Sequence, residues 1–121
     1  MDHPPHDRPA PDQLVAISKG YDLVRELMAA VANYPRSHRF VLGDRTLGTV
    51  YDVLDLLVEA RFAREKRALL DRANVLLERL RLQLRLAHDE RLLSTGRYED
   101  LARRADEVGR LVGGWRKSRS A

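Results

Sequence analysis

Four segments of this chain carry apolar side chains that recur every three or four residues. Such spacing places the apolar groups on one face of an α-helix. The four stripes are Leu14, Ile17, Tyr21, Val24, Met28 and Val31; Leu47, Val50, Tyr51, Leu54, Leu57, Val58 and Phe62; Leu69, Ala73, Leu76, Leu80, Leu84 and Ala87; and Tyr98, Leu101, Ala105, Val108, Leu111 or Val112, and Trp115. No useful length of sequence alternates with the period of a strand, so the pattern predicts an all-α protein.

Residues that favour helix ends separate the stripes. Asp12 can cap the first helix, and Pro35 ends it because the residue before proline leaves helical geometry. Ser94-Thr95-Gly96 stops the third helix, and Gly113-Gly114 is a cap for the fourth. These signals predict helices at about residues 12–33, 36–63, 66–94 and 97–113. Short turns keep sequence neighbours side by side, so we expect an antiparallel up-down-up-down four-helix bundle over residues 12–115.

The boundary between the second and third helices has the weakest signal. Residues 63–67 contain neither proline nor glycine, so periodicity alone permits one continuous helix from about 37 to 93. A charged cluster interrupts the apolar seam at this point. We therefore favour a turn at residues 63–67.

The two ends of the chain differ from the middle in composition. Residues 1–11 hold four of the five prolines, which predicts a disordered N-terminal arm. Residues 116–121 are rich in basic side chains and are expected to form a basic tail. A length of 121 residues suits a single domain with a modest core.

Composition excludes several kinds of protein. The chain has no cysteine, which excludes disulfides and thiolate metal sites. No apolar run approaches the roughly 18 residues of a membrane span, and the start lacks the apolar core of a signal peptide. These features favour a soluble cytoplasmic protein with no membrane association.

Catalytic chemistry has no candidate residues. His3 and His6 lie in the predicted arm, where a flexible pair makes a loose metal site at best. His38 and His88 stand singly, and the chain has no Glu-x-x-His pair, phosphate-binding glycine loop or nucleophile elbow. We therefore expect no catalytic residue, no metal, no cofactor and no enzyme activity.

Positive charge accumulates toward the C-terminus. The net charge of +4 is the sum of −2 for residues 1–34, +1 for 35–64, +2 for 65–94 and +3 for 95–121, and most cations are arginines. Arginine suits phosphate and carboxylate recognition. The candidate residues for binding nucleic acid or a partner are Arg36, Arg39, Arg61, Arg64, Lys66, Arg67, Arg81, Arg85 and Arg91.

These basic residues have two interpretations. In the first interpretation, they form a phosphate-binding surface. In the second, they lie on the solvated faces of amphipathic helices and are neutralised by the many nearby carboxylates. Arg81, Arg85 and His88 lie one turn apart on one helix face. The first interpretation predicts that replacing Arg81 and Arg85 by glutamine weakens RNA binding and leaves thermal stability nearly unchanged.

A distinctive motif occupies residues 34–45, where a basic and aromatic run contains both proline and glycine. We interpret its residues mainly as structural, with the role of the arginines left open between helix ends and a partner surface. Tyr34 and Phe40 are expected to be apolar plugs at a turn. The motif residues so assigned are Tyr34, Pro35, Ser37, His38, Phe40, Leu42, Gly43, Asp44 and Arg45.

Two short motifs lie in this region: Pro-x-Ser-His-Arg-Phe at 35–40 and Leu-Gly-Asp-Arg at 42–45. The third helix is rich in Leu and Arg, and Trp115 lies near the end of the fourth. Together these features resemble the accessory variability determinant (Avd) family of diversity-generating retroelements. That family is related to four-helix proteins of ribosomal RNA intervening sequences. The resemblance implies a non-catalytic, homopentameric ring that binds a reverse transcriptase and template RNA or cDNA during mutagenic copying.

Two other functions stay open at the level of sequence. The chain could belong to a bundle of a ribosomal RNA intervening sequence or another mobile element, binding RNA without a polymerase. It could also be a scaffold whose surplus apolar surface only drives assembly.

Overall fold

In the computed structural model, which describes residues 11–120, four helical segments follow one another. They are α1, Pro11–Ala32; α2, which runs through an α-helical turn at Arg36–His38, a π-helical turn at Arg39–Gly43 and an α-helix at Asp44–Phe62; α3, Arg67–Asp89; and α4, Thr95–Ser120. The arm predicted for residues 1–11 lies outside the described residues except for Pro11, which begins α1.

The helices form an antiparallel bundle. Each helix packs against the next along the chain, and α4 returns to pack against α1, while the diagonal pairs make few contacts or none. Pairs of residues distant in sequence show the antiparallel order: Glu26 near the end of α1 meets Arg97 at the start of α4. The predicted all-α, up-down-up-down four-helix bundle is confirmed.

Proline and a π turn set the path from α1 into α2. Pro35 has φ −54° and ψ 148°, and its carbonyl accepts hydrogen bonds from the backbone N–H groups of His38 and Arg39, both at 2.9 Å. The N–H of Asp44 then bonds to the carbonyl of Arg39, five residues earlier. A π turn contains one residue more than an α turn. The π turn therefore changes which side chains face the core before Asp44.

The core of α3 and α4 follows the predicted stripes. The α3 side chains of Leu76, Leu80 and Leu84 are buried, as are Leu101 and Val108 of α4. One prediction for α4 is wrong: the helix does not end at Gly113-Gly114 but continues to Ser120. Each glycine costs about 1 kcal/mol in a helix. Trp115 is fully buried, and burial of a large apolar side chain stabilises the fold by roughly 1.5–3 kcal/mol. This gain offsets the cost of the two glycines.

The core faces of α1 and α2 are rotated from their predicted stripes. Leu14, Tyr21 and Met28 are about half exposed, and α1 packs instead through Leu23, Leu27 and small residues. Gly20 is one of them: a Cβ there would lie 3.4 Å from Cδ1 of Leu57. On α2, the predicted members Tyr51, Val58 and Phe62 are exposed. Several large apolar side chains of α1 and α2 are therefore left on the surface.

Within residues 11–120, no helix is both long and apolar enough to cross a bilayer.

Candidate nucleic-acid interface

The turn between α2 and α3 is held by a lysine. Lys66 donates from Nζ to the carbonyl oxygens of Ala60 at 2.6 Å, Ala63 at 2.8 Å and Arg61 at 3.1 Å. These are carbonyls that a helix end leaves without intrahelical partners, and a cation there also opposes the helix dipole. Of the predicted binding residues, Lys66 thus has a structural role as the C-terminal cap of α2.

The arginines around Lys66 point to solvent. Arg64 and Arg67 are exposed and have no ion-pair partner within residues 11–120, while the Arg61 guanidinium lies 5.2 Å from the centre of the Phe62 ring. Arg72, in the second turn of α3, is also exposed and unpaired among the described residues. The bundle thus ends in a group of cations that the fold leaves free of carboxylate partners.

The continued α4 adds another cation to the same end. Arg116 bonds through Nε to a carboxylate oxygen of Asp71, which fixes the last turns of α4 beside the first turns of α3. Lys117 follows directly and is exposed. We call Arg61, Arg64, Arg67, Arg72 and Lys117 the basic end. Sequence reasoning missed Arg72 and Lys117, the latter because the tail was expected to leave the helix.

The chemistry of the basic end is that of a phosphate-binding surface. Glu59 and Glu65 are exposed and close in sequence to the turn between α2 and α3, so among the residues whose exposure the structure describes the five cations outnumber these two carboxylates. Guanidinium and ammonium groups in such a place contact a sugar–phosphate backbone without reading bases. Affinity of this kind falls steeply as salt concentration rises.

Arg81 ties α3 to α4. Its Nε donates to Asp106 Oδ1 at 2.6 Å and its Nη1 to Glu78 Oε1 at 2.6 Å. A Cβ at Gly109 would lie 2.7 Å from Nη2 of Arg81, so the missing side chain makes room for the guanidinium. The third-helix face therefore lacks the free cation that the sequence suggested at this position.

The other residues near the end of α3 differ in their engagement. Arg85 is exposed and its Nε lies 3.9 Å from Asp89 Oδ2. His88 stacks on Tyr98 with ring centres 4.8 Å apart, and its Nε2 lies 3.1 Å from Thr95 Oγ1. Arg91 is exposed in the turn to α4, at φ 61°. His88 thus joins α3 to α4, whereas Arg85 and Arg91 remain accessible.

The motif arginines lie at the opposite end of the bundle from the basic end. Arg39 donates from Nη2 to the carbonyls of Ala32 at 3.2 Å and Tyr34 at 3.4 Å, and so holds the end of α1. Arg36 and Arg45 are exposed with no ion pair among the residues described. The motif arginines and the cations of the basic end are therefore roughly 30 Å apart along the bundle.

The apolar and small motif residues differ in their burial. Tyr34 is 1% exposed, and burial raises the pKa of its phenol. Gly43 is buried against Val31, and Leu42 is partly buried. The prediction for Phe40 is wrong: its side chain is 63% exposed, because the π turn takes it out of the core register.

The polar motif residues lie at the surface. Ser37 Oγ is 3.1 Å from His38 Nδ1, and Asp44 is exposed in the first turn of the α-helical part of α2.

A cluster of ions joins α1 to α4. Asp100 accepts hydrogen bonds from Arg104 Nε at 3.1 Å and Arg103 Nη2 at 2.5 Å. The hydrogen bond from Arg104, followed by the nearby positive charges, lowers the pKa of Asp100 below its usual value. Arg97 completes the cluster by donating to the backbone carbonyl of Glu26 at 3.1 Å. These arginines are used within the fold.

Within residues 11–120, no group of three His, Asp or Glu side chains is placed to hold a metal ion. His3 and His6 lie outside the described residues.

Comparison with known proteins identifies the family. Searches of curated proteins and of solved structures give no significant match. The model of the bAvd-like family matches residues 14–119, which include all four helices, the 34–45 motif and Trp115. The chain therefore belongs to the bAvd-like family, the accessory proteins of diversity-generating retroelements that its motif resembles.

Proposed function

We propose that this protein is a non-catalytic accessory subunit of a diversity-generating retroelement. In this role it binds the reverse transcriptase and template RNA or cDNA, and supports mutagenic reverse transcription as a homo-oligomeric ring, with five subunits expected. The observation that carries the proposal is the family match over residues 14–119. The basic end and the exposed apolar side chains of the bundle support it.

The basic end is the surface that we assign to nucleic acid. Its cations come from α2, α3 and α4, and they are held together by the Lys66 cap and the Arg116–Asp71 pair. In a closed ring, each subunit would contribute one such end. Repetition raises the local concentration of cations along a polyanion, so a weak contact per subunit becomes a strong contact for the assembly.

Titration of single-stranded RNA at several salt concentrations tests this assignment. We expect wild-type binding to weaken as salt rises, and Arg64→Gln with Arg67→Gln to bind more weakly at every salt concentration. Each lost phosphate contact should reduce the slope of log K against log salt by about 0.7. Arg25→Gln is the control, since Arg25 is exposed and unpaired among the described residues but lies on α1, away from this turn.

Co-expression with the reverse transcriptase of the same retroelement tests the polymerase partner. A complex that survives size-exclusion chromatography in moderate salt supports the proposal. RNA binding without polymerase binding would favour the RNA-binding bundle of another mobile element instead. An assembly that binds neither RNA nor the reverse transcriptase would favour the third function, a scaffold whose apolar surface only drives assembly.

A further inference from the structure

Two exposed stripes of α2 and α3 share the same spacing and carry opposite charges. The α2 stripe consists of Tyr51, Asp55, Val58 and Phe62, and the α3 stripe consists of Val75, Arg79, Leu82 and Leu86. Both follow steps of four, three and four residues, so each forms one line along its helix. In both stripes the second position is charged and the other three are apolar.

Both stripes are largely left to solvent, apart from the contact of the Arg61 guanidinium with the Phe62 ring. Phe62 is 77% exposed and Leu82 is 65% exposed, and the remaining apolar members lie between 41% and 53%. Asp55 and Arg79 are both exposed and have no ion-pair partner in the part of the chain that the structure describes. Apolar side chains in a row on a helix surface are rarely left to water without a binding role.

We propose that the α2 stripe of one copy docks on the α3 stripe of a second copy, with Asp55 paired to Arg79. The proposal rests on the ring suggested above and identifies the surfaces that would build it. The two stripes lie on different helices, so one copy can dock its α2 stripe on one neighbour and its α3 stripe on another, a heterologous contact that leaves one free stripe of each kind on every pair. Repetition of such a contact joins each copy to two neighbours, which closes a ring when the rotation fits.

The second copy is favoured over other occupants by complementarity. The shared spacing lets the apolar members interdigitate whether the helices run parallel or antiparallel. In either direction Asp55 comes within one helical turn of Arg79, a distance that the arginine side chain spans. Charge pairing at the centre of an apolar contact fixes its register and excludes the pairing of two identical stripes.

A groove beside the α3 stripe provides room for an aromatic ring. The groove has a volume of about 470 Å³. Its α3 side is formed by Arg79, Leu82, Gln83 and Leu86, and its α2 side by Val41, Leu42 and Arg45. The side-chain oxygen of Gln83 is buried and has no hydrogen-bond donor among the described residues. Tyr51 or Phe62 of the second copy is a ring of suitable size, and the Tyr51 hydroxyl is a donor of the kind that Gln83 lacks.

Charge reversal with rescue in the same chain tests this contact. Light scattering coupled to size exclusion would give the mass of wild type, Asp55→Arg, Arg79→Asp and the double variant. Each single variant places like charges together, and we expect its dissociation constant for association to rise at least about tenfold. The double variant restores opposite charges and should recover the wild-type mass. Glu99→Arg, exposed on α4 and off both stripes, is the matched control and should assemble as the wild type does.

Two further measurements distinguish loss of the contact from loss of folding. Circular dichroism should show that all charge variants are as helical as the wild type. Phe62→Ser leaves the charges in place and removes the most exposed apolar group, so it should also lower the assembled mass.

The outcomes separate this contact from the ring itself. Single variants that assemble like the wild type, or a double variant that stays dissociated, would overturn the α2–α3 contact and leave the ring standing. A monomeric wild type at micromolar concentration would overturn the ring and the contact together. Loss in both single variants with recovery in the double variant would support both.

Discussion

Gly43 and Val31 are packed so closely that a methyl group on Gly43 would lie 2.6 Å from Cγ1 of Val31. Valine is stiff and buried, so it has little freedom to move away. The contact brings the π turn of α2 against the last turns of α1. Glycine at this motif position is therefore required by the packing of two helices.

Substitution of two glycines in α2 separates packing from helix propensity. We expect Gly43→Ala to lower the free energy of unfolding by about 1–3 kcal/mol, because the added methyl group overpacks the site. The new Cβ of Gly48→Ala would come within 4 Å of no other helix, so this variant should raise stability by about 0.5–1 kcal/mol. Urea unfolding measures both. Equal effects at the two positions would contradict the assigned contact with Val31.

Replacement of Arg81 should affect stability more than replacement of Arg85. Arg81 is partly buried and bonds to carboxylates on two helices, so Arg81→Gln is expected to lower the free energy of unfolding by about 1 kcal/mol. Arg85 is largely exposed and should cost less than about 0.5 kcal/mol. Thermal unfolding of the two single variants checks the order. The sequence alone predicted that replacing Arg81 and Arg85 by glutamine leaves thermal stability nearly unchanged. The contacts of Arg81 change that expectation for Arg81→Gln.

Trp115 should carry a large share of the stability of α4. Trp115→Ala is expected to lower the free energy of unfolding by about 3–5 kcal/mol, as for other buried aromatic residues. Met28→Ala, at a half-exposed position on α1, should change it by less than about 0.5 kcal/mol. Denaturant unfolding with the intrinsic circular dichroism signal serves both variants. A small loss for Trp115→Ala would mean that α4 does not need this residue after its glycine pair.

Acidification should weaken the junction between α1 and α4. The pKa of Asp100 is lower in the folded protein than in the unfolded chain, chiefly through its hydrogen bond from Arg104. Its contribution is therefore complete above about pH 4 and is lost as pH falls through the folded pKa. We expect Asp100→Asn to be less stable at neutral pH and to show a shallower loss between about pH 4 and 2. Thermal unfolding across this range measures the difference, with Glu99→Gln as the control on the same helix.

The sequence predicted the core best where it is built from large side chains. Leu76, Leu80 and Leu84 of α3 recur with helical spacing and are buried as expected. On α2 the core also contains Thr46 and Thr49, whose hydroxyls donate to the carbonyls of Leu42 and Arg45 at 2.9 Å. A pattern of large apolar residues cannot detect such small or internally bonded side chains. For this reason, the apolar faces predicted for α1 and α2 are rotated about the helix axis relative to the faces that the structure buries.

The candidate site was predictable only in its central turn. Arg64 and Arg67 lie within the turn predicted at residues 63–67, and the structure leaves both exposed. The cap formed by Lys66 depends on the path of three backbone carbonyls, which composition does not reveal. Lys117 joins the basic end because a buried tryptophan carries the helix past two glycines, a tertiary effect that overrides local propensity.

The π turn at Arg39–Gly43 makes this point of the chain tolerant of a change in length. It holds one residue more than an ordinary helical turn, so the loss of one residue here would let a regular α-helix run from Arg36 into Asp44. The helix on both sides of the turn would keep its orientation, because the π turn already accommodates the extra residue, which in a regular helix would shift the side chains before it by about 100°. Homologous chains that are one residue shorter at this turn are therefore expected to share the interior on both sides of it and to lack only the one extra side chain that the turn presents at this tip, a divergence by deletion instead of by replacement.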